Sequence, residues 1–197
     1  MVNTNMYYED NRDLAHDFKV LNFKLLDQDL KFKTDSGVFS KSSVDYGSRV
    51  LLEAFSPVGE TLLDIGCGYG VLGLTLAKKY NLLATLSDVN PRALDLAMHN
   101  SKLNSVNAKI QKSYMYDEII GRFDNIVANP PIRAGKVVVH GILAGAFDHL
   151  NSRGQLIAVI QKKQGAPSAQ KKMKEVFGNC EIVIKDKGYY ILKSVKE

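Results

Sequence analysis

The sequence predicts an α/β protein: a mostly parallel, seven-stranded sheet with helices on both faces, an antiparallel C-terminal strand, and a short antiparallel N-terminal extension. Three observations carry this expectation. Through the middle of the 197-residue chain, short apolar runs alternate with helix-length amphipathic segments, the pattern of βαβ units. A glycine-rich turn, "GCGYG", joins the first of these runs to the helix behind it. The last two apolar runs are separated only by Lys187-Gly188, which is too short for a helical crossover and suits a hairpin.

Taken in order, residues 8–34 are expected to hold short antiparallel strands, and "SVDYGSRVLLEAF" (43–55) a leading helix. "TLLDI" (61–65) reads as a buried strand, and "VLGLTLAKKY" (71–80) as the helix after the glycine turn. "NLLATLSD" (81–88) is the second strand of this core. Asn90 then has the chemistry of an N-cap, with Pro91 at the first helical position of "RALDLAMHNSKLN". "AKIQKS" (108–113), "FDNIVAN" (123–129) and "QLIAVIQ" (155–161) supply three more strands, with a helix near 139–150 between the last two. "SAQKKMKEVFG" (168–178) reads as a helix stopped by Gly178, followed by the hairpin strands "CEIVIKD" and "YYILKS". No repeat or linker interrupts this order. The chain reads as a single domain, 1–197, with an extension and leading helix in 1–57 and the core in 58–197.

Composition narrows the classes. With 45% hydrophobic and 24% charged residues, the chain has a globular balance. The acidic, polar N-terminus has no apolar stretch of signal-peptide type, and no run of 18 apolar residues occurs, so a cytoplasmic protein is expected. Cys67 and Cys180 are far apart and form no CxxC pair. They read as small core fillers in a reducing compartment. No His/Cys/Asp cluster has metal-ligand spacing, so no metal is expected, and His140 and His149 read as packing or surface residues. Charge is uneven: residues 151–197 carry ten Lys/Arg against four Asp/Glu, while residues 1–150 carry sixteen against seventeen. Such a basic region suits a polyanion or forms a solvated lysine face.

Two segments carry candidate chemistry. In "LLDIGCGYGVLG", Gly66, Gly68 and Gly70 lie between strand and helix, where backbone can approach a ligand closely. Gly68 to Gly73 also matches the GxGxxG dinucleotide fingerprint, and Asp88, ending the next strand, suits ribose hydroxyls in either reading. Asp64, inside the last turn of the strand, weighs against the dinucleotide reading. In "FDNIVANPPIRAG", an amide side chain stands where a buried strand opens onto its rim, followed by two prolines and Ile132. By itself "NP" is an ordinary turn. Placed after a strand and downstream of the glycine loop, it reads as chemistry. Asn129 can accept one N–H of a substrate amine through its side-chain oxygen and the Pro130 carbonyl the other, while Pro130 and Pro131 stiffen the loop and offer no competing donor. In this reading Asn129 orients a nucleophile and is not a general base.

With these residues in hand, "DIGCGYG", "SDVN" and "NPPI", in this order, resemble the motifs of class I S-adenosylmethionine-dependent methyltransferases. The resemblance is closer to the group of ribosomal RNA small-subunit methyltransferase C and its single-domain relatives. It extends to "GVFSKSSVDYGSRVLLEAF", "GAPS" and "KDKGYYIL", nearly the whole chain. It implies a Rossmann-like methyltransferase fold and S-adenosylmethionine as cofactor. Asp64 would order the loop and face the methionine end. Gly66, Cys67, Gly68 and Gly70 would wrap the cofactor, Asp88 would hold the ribose, and Val89 and Asn90 would lie by the adenine. The chain departs from many class I enzymes after the third core strand: "KSYMYDE" offers Ser113 and Tyr114 but no acid before Asp117. Phe39, Asp45 and Gly47 either help close the site or pack the leading helix.

The resemblance also implies the acceptor. Relatives acting on adenine or glutamine read NPPY, whereas Ile132 has no π-face, and the NPPI type goes with guanine N2 in small-subunit (16S) ribosomal RNA. The implied partner is that RNA or the small ribosomal subunit. A paired base would be flipped out to reach such a site. Arg133 and Lys136 would grip flanking phosphates, and Lys162, Lys163, Lys171 and Lys172 would add to RNA binding, unless these are solvated loops. Three alternatives stay open: a glutamine N5-methyltransferase acting on a protein, a nicotinamide oxidoreductase, and a non-catalytic RNA-binding relative.

Overall fold

The computed structural model describes residues 15–197. The expected strands fall within this range except for residues 8–14, which lie outside it. β1 (Lys19–Leu25) and β2 (Gln28–Thr34) form an antiparallel hairpin. Then come α1 (Tyr46–Ala54), β3 (Thr61–Ile65), α2 (Val71–Tyr80), β4 (Leu83–Asp88), α3 (Pro91–Leu103), β5 (Ala108–Lys112), β6 (Phe123–Ala128), α4 (Lys136–Gly145), β7 (Leu150–Gln161), α5 (Ala166–Phe177), β8 (Glu181–Asp186) and β9 (Tyr189–Val195). β3 to β9 make one seven-stranded sheet in the order β5-β4-β3-β6-β7-β9-β8. β3 through β7 run parallel, and β9 is antiparallel to both of its neighbours. The antiparallel strand therefore ends the chain without edging the sheet. The crossover through α5 carries β8 two places beyond β7, and the two-residue turn folds β9 back into the gap. Lys187 and Gly188 have φ of 43° and 83°, the left-handed pair that a type I′ turn demands.

The sheet is covered on both faces, and strand residues alternate between two cores as a period of two requires. Leu62, Val127, Ile157, Val159 and Ile191 pack with α1, α2, α3 and the N-terminal hairpin. Leu63, Ile126, Ala128, Leu156, Ala158 and Leu192 pack with α4 and α5. The hairpin is bound to the core through its edge. Asn100 accepts from Lys33 N–H at 2.7 Å and donates to Lys33 O at 3.0 Å, and Asn104 does the same for Lys31 at 2.9 and 2.7 Å. Residues i and i+4 of a helix and i and i+2 of a strand both repeat at roughly 6–7 Å, so two amides on α3 can serve an edge as a neighbouring strand would. The arrangement also covers an edge that would otherwise be open to another chain.

Several boundaries differ from the expectation for local reasons. Asn81 has φ 55° and closes α2 in the left-handed region, so β4 begins only at Leu83. α4 starts at Lys136, directly after Gly135 with its positive φ of 94°, and ends at Gly145. β7 reaches back to Leu150 across an irregularity opposite Phe123 and Asn125, which the polar "NSRG" concealed. α5 begins at Ala166 because Pro167 is accepted in the first turn, where no N–H is needed. No helix among the described residues is long and apolar enough to cross a membrane.

Candidate functional site

A cleft of about 610 Å³ opens at the carboxyl ends of β3, β4, β5 and β6, the ligand side of an open parallel sheet. One wall is the glycine loop after β3. Gly66 and Cys67 N–H both donate to Ser87 O, at 2.8 and 2.9 Å, and Gly68 N–H donates to Asp88 Oδ2 at 2.8 Å. The loop is thus stitched to β4, with Gly66, Gly68 and Gly70 at φ 74°, 55° and 96°. A Cβ on Gly66 or Gly68 would meet no protein atom within 4 Å. Both residues line the cleft, so a ligand there would face bare backbone.

Asp64 lies at the floor of this wall, 1% exposed. Its Oδ2 accepts Gly73 N–H at 2.7 Å, while Oδ1 is buried with no partner. Burial pushes its carboxyl up to about 7; the Gly73 bond opposes this and the Asp88 charge adds to it. Asp88 is half-buried between Gly68 and Asn90, whose N–H reaches Oδ1 at 2.9 Å. Burial raises its carboxyl too, partly offset by these backbone donors. Val89 lines the cleft, whereas Gly70 and Asn90 stand behind its wall. Asn90 caps α3 by accepting Arg92 N–H at 3.0 Å, and its amide donates to Gly37 O at 3.1 Å.

That last bond holds a strap, residues 35–41, across the cleft. Val38, Phe39 and Ser40 line its inner side, and Ser40 O accepts from the Tyr69 hydroxyl at 3.2 Å. Asp35, fully buried, anchors the strap by an ion pair to Arg92 at 3.0 Å and by accepting from Asp17 and Ser36 N–H, both at 2.7 Å.

Opposite the glycine loop, β6 delivers Asn129, Pro130, Pro131 and Ile132, all of which line the cleft. Pro131 O is taken by Ala134 N–H at 2.9 Å in a short 3₁₀ turn over Ile132–Ala134. The Asn129 amide nitrogen donates toward both Asp45 oxygens, each at 3.3 Å, and to Ser48 Oγ at 3.1 Å. A carboxylate only accepts, so the NH₂ end faces α1 and the amide oxygen is left to the cleft. Asp45 and Ser48 themselves line the cleft at the start of α1. Gly47 sits between them because α1 closes on β9 there: a Cβ would lie 2.8 Å from the Tyr189 ring.

The basic residues expected to meet RNA are exposed except for Lys172, which is half-buried. Arg133 is exposed and lines the mouth, and Lys136 is exposed in the first turn of α4. Lys162 and Lys163 are exposed in a 3₁₀ turn, Lys162–Gln164, whose N-cap Gln161 and last residue Gln164 line the cleft. Lys162 N–H donates to Gly188 O at 2.7 Å, which ties this turn to the β8–β9 turn. Lys171 is exposed, and Lys172 is paired with Glu175 at 3.1 Å. Tyr114, half exposed, lines the mouth, but Asp117 does not reach it. Ser113 is buried and occupied locally, donating to Met115 O at 2.9 Å.

His140 bonds Ser168 across α4 and α5 at 3.2 Å, and His149 stacks on Tyr116 at 4.7 Å, so both pack elements together. Cys67 is buried against the cleft and Cys180 half-buried. No group of three metal-ligating residues occurs among the described residues. The sequence reading missed Ser48, Gln161, Gln164 and Tyr189. Ser48 lies within the segment 43–55 expected to form the leading helix, but nothing local marks it as facing the cleft. The others had no signal either, because no local pattern says which strand end meets a cleft.

Comparison with known proteins matches residues 29–193 to the methyltransferase small domain. An uncharacterized protein of Bacillus subtilis, YbxB, is 43% identical over 196 residues, covering 96% of this chain and 98% of that protein. The ribosomal RNA small subunit methyltransferase C of Erwinia tasmaniensis is 33% identical over 174 residues, covering 85% of this chain and 50% of the relative. Thus the chain spans about half the length of the curated methyltransferases it matches. Among solved structures, the 16S rRNA N2 G1207 methyltransferase of T. thermophilus, in complex with AdoMet and guanosine, superposes with a TM-score of 0.83 at 25% identity, over 91% of this chain and 51% of that one.

Proposed function

The chain belongs to the methyltransferase small domain family, and we propose that it transfers a methyl group from S-adenosylmethionine to the exocyclic N2 of a guanine in small-subunit (16S) ribosomal RNA, in the cytoplasm. The observation that carries this reading is the Asn129 amide, whose nitrogen is held by Asp45 and Ser48 so that its oxygen faces a cleft walled on the other side by the glycine loop.

The residues present fit the cofactor. The cleft volume, about 610 Å³, lies in the range usual for small-molecule sites. The orphaned Asp64 Oδ1 is a buried acceptor with no protein donor, suited to the cationic methionine end. Gly66, Cys67 and Gly68 offer backbone to wrap it, and Asp88 suits the ribose, with Val89 beside the adenine. When bound, S-adenosylmethionine supplies an electrophilic methyl on a sulfonium with a neutral leaving group.

What remains for the protein is orientation. An aromatic amine is a poor nucleophile because its lone pair is delocalised. Asn129 Oδ1 accepts one N–H of the base amine and the Pro130 carbonyl the other, which turns the lone pair toward the methyl. Such positioning is worth roughly 7–11 kcal/mol of barrier when reacting atoms are held near contact. Ile132 supplies an apolar contact to the base, and Arg133, Lys136, Lys162 and Lys163 meet the phosphates around it. The chain acts here as one unit: the 1–57 segment brings Phe39, Asp45 and Ser48, and the 58–197 core brings the rest.

The test is methyl-labelled S-adenosylmethionine with naked 16S RNA, assembled small subunits and a release factor as acceptors, with Asn129→Ala alongside. Label in RNA that digests to N2-methylguanosine and vanishes in the variant is the expected result. Label in the release factor instead would move the protein to glutamine chemistry, and tight cofactor binding with no label in any acceptor would leave a binding protein.

A further inference from the structure

We infer that Asp45 is a positioning residue for this reaction, the group that decides which end of the Asn129 amide meets the substrate; this rests on the methyl-transfer reading above. The two ends of an asparagine amide are nearly equal in size, so packing alone does not choose between them. A half-turn of the side chain would present NH₂ to an incoming amine, donor against donor, and the lone pair would lose its direction. Something must therefore select the orientation chemically.

Among the described residues, two groups bond the nitrogen. Ser48 Oγ, at 3.1 Å, is a hydroxyl and can donate or accept, so it is compatible with either end of the amide. The Asp45 carboxylate, at 3.3 Å through both oxygens, only accepts. It rejects the flipped state, in which oxygen would face oxygen. Asp45 is itself fixed. Its Oδ1 accepts Ser48 N–H at 3.0 Å as the N-cap of α1, and the positive end of that helix favours a carboxylate there. The helix is in turn seated on β9 by the close approach of Gly47 to Tyr189.

Capping and orienting can be separated, because asparagine caps a helix about as well as aspartate. Asp45→Asn keeps the cap but replaces an acceptor-only group by an amide that can present either end. The experiment uses the full chain with Asp45→Asn, Ser48→Ala and Asn129→Ala. It reads the melting temperature, calorimetric Kd for S-adenosylmethionine, kcat and KM on the RNA acceptor, and ¹H–¹⁵N spectra of side-chain amides, with the Asn129 pair identified by its loss in Asn129→Ala. Asp45→Asn is expected to keep its melting temperature and cofactor Kd while kcat falls roughly 10–100-fold, with KM little changed, as for a misdirected reacting group. The Asn129 amide resonances shift in that variant. Ser48→Ala loses one neutral hydrogen bond to the amide but leaves the acceptor-only carboxylate in place, so its kcat falls less than that of Asp45→Asn and the Asn129 amide keeps its orientation.

Full kcat in Asp45→Asn beside an inactive Asn129→Ala would overturn the inference and leave the role of Asn129 standing. Parallel losses of melting temperature and kcat with unmoved Asn129 resonances would overturn it as well, reducing Asp45 to a cap. Full activity in Asn129→Ala would instead remove the reading on which the inference rests.

Discussion

Asp64 and Gly73 meet so closely that neither can change alone: the Gly73 N–H donates to Asp64 Oδ2 at 2.7 Å, and a Cβ on Gly73 would lie 3.0 Å from Asp64 Cβ. The first turns of α2 are pressed onto the end of β3, one carboxylate oxygen is used up, and the other is left buried without a partner.

A pH dependence follows from that orphaned oxygen. Burial lifts the Asp64 carboxyl to about 7 in the folded chain, whereas in the unfolded chain it titrates near its ordinary value. Between those values the folded state holds the extra proton, so stability falls as pH rises from about 4 through about 7. Asp64→Asn should flatten that limb in denaturant titrations across pH. A cationic ligand favours the ionised carboxylate, so S-adenosylmethionine should bind more tightly above about pH 7 than below it, releasing a proton at about pH 6. Calorimetry in buffers of different ionisation enthalpy measures this; proton uptake at the lower pH would contradict it.

Two glycines, Gly68 in the loop and Gly73 in the helix behind it, should fail in different ways. Gly73→Ala brings a Cβ to 2.8 Å from Leu86 Cδ1, an overpacked contact expected to cost about 1–3 kcal/mol of stability. Gly68→Ala meets no protein atom within 4 Å but strains a φ of 55° and projects from a residue that lines the cleft. We expect Gly73→Ala to lower the melting temperature more than it raises the cofactor Kd, and Gly68→Ala to do the reverse. Equal profiles for both variants would refute the division.

Arg92 and Asp35 should matter to both stability and the site. Arg92→Met leaves a fully buried carboxylate with His16 and two backbone N–H groups but without its guanidinium. The expected loss is about 3 kcal/mol, the low end for a broken buried pair. Although burial pushes the Asp35 carboxyl up, His16, the two N–H groups and Arg92 together hold it below its ordinary value. Its contribution is therefore present above about pH 4 and disappears as pH falls through the depressed value, so Arg92→Met should weaken the acid limb. Since Asp35 anchors the strap that carries Val38 to Ser40, cofactor Kd should rise as well. An unchanged Kd would show that the strap holds without the pair.

Reversing Lys162 and Lys163 to glutamate should weaken RNA binding and flatten its salt dependence by roughly one to two released counterions, because each lost phosphate contact removes close to one. Lys172→Glu should have less effect, since Lys172 is already paired with Glu175. RNA binding unchanged at every salt concentration would remove the two rim lysines from the interface.

How far the sequence was legible depended on how local the deciding force was. β3 and α2 were delimited to the residue, because a five-residue apolar run and a glycine turn are local signals. α4 was misplaced by three residues at its start, because its first turn, Lys136–Val138, is exposed or half-exposed and carries no apolar period. The start of β7 was missed because pairing with β6, not propensity, makes Leu150 part of a strand. Asn129 and the glycine loop were legible as candidates from side-chain chemistry alone. That Gly70 and Asn90 stand behind the cleft wall, while Gln161 and Tyr189 line it, was not.

By itself, then, the sequence marked candidate residues and the strand ends on which they stand, since turn, strand period and donor inventory are properties of short segments. The tertiary structure decided what each of them faces. Asp45 and Asn129 are 84 residues apart and meet only because α1 packs beside the end of β6. Contacts across that distance depend on how whole layers close on one another, and no local pattern encodes them.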